Sequence, residues 1–129
     1  MNKKSGFTVI EVCVLVVFLV VAGAIFVIQK GELQQQFNDK TRKTAINAMY
    51  YNIEEVFYKQ NGYYPKTINE KTLTAMDPNL FTDPLGVVLG EEGSQYRYEP
   101  TDCDGEKCQS YALRADLDLE EDYIKKSKN

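Results

Sequence analysis

Residues 3–28 read KKSGFTVIEVCVLVVFLVVAGAIFVI: two lysines, a Ser-Gly pair, and then 22 residues, Phe7 to Ile28, that are apolar almost throughout and carry one acid, Glu11. A helix of that length rises about 33 Å, the thickness of a bilayer's hydrocarbon core. The run therefore reads as membrane-spanning. It is too long for the apolar part of a secretory signal peptide and lacks a small-residue cleavage pattern after it. A lipoprotein leader fails too, because Ile10-Glu11-Val12 precedes Cys13 where small residues are needed. Lys3 and Lys4 hold the N-terminus on the cytoplasmic side. They do not account for Glu11.

A carboxylate inside a spanning helix costs roughly 2.5 to 3.5 kcal/mol, so it calls for a partner. Cutting the chain between Gly6 and Phe7 supplies one. The new α-amino group lies four residues before Glu11 on the same helix face, and it can also reach the Glu11 of a neighbouring copy.

The basic leader ending in Gly6, the aromatic Phe7, Glu11 at this offset and the apolar run resemble the cleavage region of type IV pilins and of the pseudopilins of type II secretion systems. The resemblance implies a membrane peptidase that cuts after Gly6 and methylates Phe7. It also implies that Glu11 neutralises the amine of an adjacent Phe7 in a low-dielectric filament core. The fold implied is α+β, a long N-terminal helix packed on a small antiparallel sheet. The function implied is that of a structural subunit, a self-assembling helical homopolymer used for attachment, motility or DNA uptake. Its partners would be the prepilin peptidase and methylase and, indirectly, an inner-membrane platform protein and an assembly ATPase. The subunit would wait in the cytoplasmic membrane and end in an extracellular filament. One departure is the lack of proline between Phe7 and Tyr64. Gly23 and Gly31 then become the places for the helix to bend or melt, or else points of close packing between helices.

Past Ile28 the composition turns polar. Leu33, Phe37, Ala45, Ala48, Met49, Ile53, Val56 and Phe57 are spaced mostly by three and four, an amphipathic pattern over residues 29–61. Asn61-Gly62 closes it, and Pro65 bars a restart. One helix from Phe7 to about Gln60 is expected, with two helices broken at Gly31 as the alternative. The division is then a leader (1–6), a core helix (7–28), a stalk (29–61) and a β head (62–129).

In the head, Pro78 and Asp83-Pro84-Leu85-Gly86 punctuate the connection, and Phe81 to Gly86 resembles the D-P-x-G turn of major pseudopilins and similar pilins. Val87-Val88-Leu89 is a strand candidate, as is Tyr96-Arg97-Tyr98-Glu99 with Tyr111–Ala115 as its return. Cys103 and Cys108 flank a polar turn outside the cytoplasm and suit a disulfide clasp, while Cys13 is too remote to join them. With no histidine, a two-cysteine metal site is the weaker option. Glu91, Glu92, Asp102, Asp104 and Glu106 lack calcium-loop spacing and read as solvated, so no metal ligands and no cofactor are assigned.

Charge is unevenly spread: +2 in the leader, −1 in the apolar run, +1 in residues 29–61 and −6 in residues 62–129. An acidic head argues against direct nucleic-acid binding by the subunit body. Lys125, Lys126 and Lys128 read as a frayed solvated terminus. Histidine, nucleophile elbow and phosphate loop are all missing, so catalysis lacks its parts. A different class stays open, a single-pass anchored surface protein that never polymerises; pseudopilin is the alternative within the family.

Overall fold

The structure, a computed structural model, describes residues 6–129; the leader residues Lys3, Lys4 and Ser5 lie outside the described residues. The chain has an α+β layout, one long N-terminal helix packed on a small antiparallel sheet of four strands. It divides into two compact units, one ending at Gln34 and one comprising Gln35–Asn129.

Helix α1 spans Val9–Tyr51 without interruption at Gly23 or Gly31, so the two-helix alternative does not hold. A Cβ placed at either glycine would meet nothing within 4 Å. Neither glycine is therefore required by contacts within this chain. After Tyr51 the helix widens into a π-helical segment, Asn52–Tyr58, and ends in a single α-turn, Lys59–Asn61, here α2. The wider turn brings three successive residues, Asn52, Ile53 and Glu54, to the inside. Gly62 closes the helix with φ 76°, and its N–H donates to the Tyr58 carbonyl at 2.7 Å. That left-handed conformation is one that glycine adopts at little cost.

The sheet is built around β3 (Lys107–Ala115). Strand β2 (Tyr96–Asp104) pairs along one side of it, and β1 (Tyr64–Pro65) and β4 (Tyr123–Lys126) share the other side. Every pairing is antiparallel. The register sets Tyr96 opposite Ala115 and Cys103 opposite Cys108, and the latter two are joined by a disulfide. Tyr111, Leu113 and Ala115 alternate onto the buried face of β3. There they meet Ala45, Ile46, Met49 and Ile53 of the helix, and Tyr64, Ile68, Leu73 and Phe81 complete the core.

Three expectations are corrected. Leu33 and Phe37 do not belong to the packed stripe; they are 64% and 65% exposed. The stripe runs instead through Asp39, Arg42, Ile46, Met49 and Ile53, at steps of three and four. Val87-Val88-Leu89 forms no strand, only an isolated bridge between Val88 and Thr82. Its backbone is engaged by the Asp83 turn: the N–H of Asp83 donates to the Val87 carbonyl, and the N–H of Leu89 donates to the Phe81 carbonyl. The basic tail is not frayed either. Lys125 and Lys126 lie in β4, paired with Leu113 and Ala112, and Lys128 is tied to the helix.

Candidate functional site

The first turn of α1 answers the question that Glu11 raises at the sequence level. Thr8 immediately precedes the helix, and its carbonyl accepts from the N–H of Val12 at 3.1 Å. The N–H of Thr8 donates to Glu11 Oε2 at 2.7 Å and its hydroxyl donates to the same oxygen at 3.0 Å. In return, the N–H of Glu11 donates to Thr8 Oγ1 at 3.3 Å. This is a capping box, in which two otherwise unpaired helix-end N–H groups are satisfied reciprocally. The acid also stands at the positive end of the helix dipole. Thr8-Val9-Ile10-Glu11 carries the S/T-x-x-E signature, so this role was open to sequence reasoning and was missed. The cap supplies dipoles and no positive charge; among the described residues Glu11 has no cationic partner.

Beyond the cap, every residue from Phe7 to Phe37 is exposed in the single chain. Phe7, Phe18 and Phe26 present 75%, 70% and 68% of their surface. Residues 7–28 are apolar all round rather than on one face. Such a helix is stable only where apolar matter covers it, in a bilayer or among other helices. It is the one helix among the described residues long and apolar enough to cross a membrane. Cys13 lies on it as an exposed free thiol.

In the unit Gln35–Asn129, three buried carboxylates organise the structure. Asp39 accepts the N–H groups of Asp118 at 2.8 Å and Leu119 at 3.0 Å, and pairs with Arg42 Nη1 at 2.5 Å. Arg42, 1% exposed, also reaches Asp118 at 2.9 Å and donates through Nε to Gln95 at 2.8 Å. Burial alone would raise the Asp39 pKa, but the two N–H donors and the guanidinium prevail and lower it. Glu54, in the π-helical segment, accepts the hydroxyls of Tyr64 at 3.1 Å and Tyr111 at 2.8 Å. It also accepts the N–H of Lys128 at 3.1 Å. Burial, together with that carboxylate, pushes the Tyr64 pKa up to about 12 and raises that of Tyr111 further.

Asp83 collects the N–H groups of Leu85, Val87 and Gln95, each at 2.9 Å. It thereby closes the Asp83-Pro84-Leu85-Gly86 turn, where Gly86 takes φ 87°. Asp39, Arg42 and Glu54 escaped sequence reading because charged residues were not counted on an apolar stripe. For Asp39 and Arg42 the three-and-four spacing to Ile46 was the available signal; Glu54, five residues past Met49, is off that spacing and is turned inward by the π-helical segment. Among the described residues no group of His, Cys, Asp or Glu gathers as a metal site. Compared with protein-family models, curated proteins and solved structures, the chain has no significant match.

Proposed function

We propose that this chain is a pilin, a structural subunit cut after Gly6 that polymerises through its N-terminal helix into an extracellular filament. The observation that carries the proposal is the pairing of a helix apolar on every side with a capped carboxylate near its start that has no cationic partner among the described residues, just after Gly6-Phe7. In a bilayer, lipid covers such a helix; in a filament, neighbouring copies do. Removal from the membrane without such neighbours would expose the whole apolar surface to water, so extraction and polymerisation must be coupled. In this reading Glu11, held at the helix start by Thr8, would neutralise the amine that cleavage creates on Phe7 of an adjacent copy. The force is supplied by partner proteins, and the chain contributes the surfaces.

The decisive experiment is intact mass and N-terminal sequencing of protein sheared from cells. A chain starting at Phe7 and heavier by one methyl group is expected. A chain confined to membranes and still starting at Met1 overturns the proposal in favour of an anchored surface protein. Glu11→Gln should leave membrane insertion intact and reduce sheared filament to background, as read by immunoblot of both fractions. The second reading within the same family is a pseudopilin of a secretion or DNA-uptake machine, to which the Asp83 turn is equally suited. Surface filaments visible at native expression separate the two.

A further inference from the structure

The head carries a groove of about 450 Å³ whose lining includes Ile68, Pro78, Phe81, Val88 and Leu89, with Glu70 at its rim. That volume has room for an aromatic side chain to enter. Its walls are fixed by the Asp83 turn and by the Asp77 cap, whose carboxylate accepts the N–H of Asn79 at 3.0 Å. On the helix, Phe37 is exposed although it lies beyond the apolar membrane-length run. Lys40, one turn on, is exposed beside it and forms no ion pair among the described residues. An exposed phenyl ring flanked by a lysine, and an apolar groove flanked by a glutamate, are complementary in polarity and sign.

We propose that these two features meet between copies: Phe37 of one chain enters the Ile68–Val88 groove of a second copy, with Lys40 against Glu70. The inference rests on the filament reading and specifies how adjacent subunits engage outside the apolar helices. Charge favours this pairing over the alternatives. Residues 29–61 carry a net +1 and residues 62–129 a net −6, so stalk against head attracts where head against head repels. Because the two surfaces differ, the contact is heterologous and repeats from copy to copy without closing. A filament needs that property.

Disulfide trapping in the full chain tests it, with Cys13→Ala removing the exposed thiol. A chain carrying both Lys40→Cys and Glu70→Cys should give, under mild oxidation of sheared filaments, a ladder of linked multimers. Either substitution alone should give none. Normal filaments without a ladder overturn the docking surface and leave the filament reading standing. If the parent chain yields no filaments and stays uncut in the membrane, the filament reading falls and this inference with it. A second readout needs no thiols: Lys40→Glu should lower sheared filament about tenfold, and adding Glu70→Lys should restore it to within about twofold. Failure of the second change to restore assembly also overturns the pairing.

Discussion

Arg42 is a guanidinium 1% exposed on the packed face of a helix, and its removal isolates a buried acid. Arg42→Ala would leave the Asp39 carboxylate with its two N–H donors and no cation. The expected loss is about 3 kcal/mol of head stability, read from thermal or urea unfolding of the detergent-solubilised chain by circular dichroism. Arg42→Lys should recover only part of it, since an ammonium cannot serve Asp39, Asp118 and Gln95 together in the geometry of a guanidinium fork. Glu54→Leu keeps roughly the same volume but removes both oxygens, so the Lys128 N–H and the Tyr64 and Tyr111 hydroxyls lose their acceptor. A loss of about 2 kcal/mol is expected, with hydrogen exchange rising first in residues 123–129. An unchanged exchange pattern there would show that Glu54 does not hold the tail.

At the level of elements, what could be read from the sequence was what depends on neighbours along the chain. The apolar run, the Asn61-Gly62 stop and the strand pair containing Tyr96–Glu99 and Tyr111–Ala115 all obey local rules, and the structure contains each. The π-helical segment and β4 do not obey them. Tyr123-Ile124-Lys125-Lys126 is too short and too basic to announce a strand. It becomes one because β1 occupies only the start of β3 and leaves Ala112–Ala115 open on that side. Lys125 is retained there partly through the faces of Tyr50 and Tyr123, its ammonium lying 5.4 and 5.8 Å from the ring centroids. In the same way, the acids of the stripe are legible only once residues 118 and 119 arrive to donate to Asp39, a contact spanning most of the head sequence. Two substitutions test the element ends. Gly62→Ala meets no steric obstacle but forces φ 76° on an L-residue, for a cost of about 1 kcal/mol in the same unfolding assay. Cys103→Ser with Cys108→Ser should cost about 2 kcal/mol through the lost cross-link.

Over the whole molecule, pH should bound stability from both sides. The Asp39 pKa is lowered in the folded chain, so its contribution is present above the ordinary aspartate pKa near 4 and is lost as pH falls. Glu55, paired with Lys128 and Lys59, has its pKa lowered to about 2 and acts in the same direction, down to that pH. The tyrosines act at the other end. With Tyr64 raised to about 12, the folded state resists deprotonation, so its stabilising effect is full below the ordinary tyrosine pKa near 10 and declines through about 12. A melting temperature level between about pH 5 and 9 and falling outside that window is expected. A flat profile to pH 12 would contradict the assignment of Tyr64 and Tyr111 to Glu54.

The disulfide between Cys103 and Cys108 has a practical consequence. It closes the β2–β3 hairpin just below its two-residue tip, Gly105-Glu106, which is exposed and lies away from Phe37, Glu70 and the apolar helix in sequence. A foreign peptide spliced between Asp104 and Gly105 would be insulated from the sheet by that covalent base. An antibody epitope inserted at this point should report the subunit, single or polymerised, while leaving the strands below it in register.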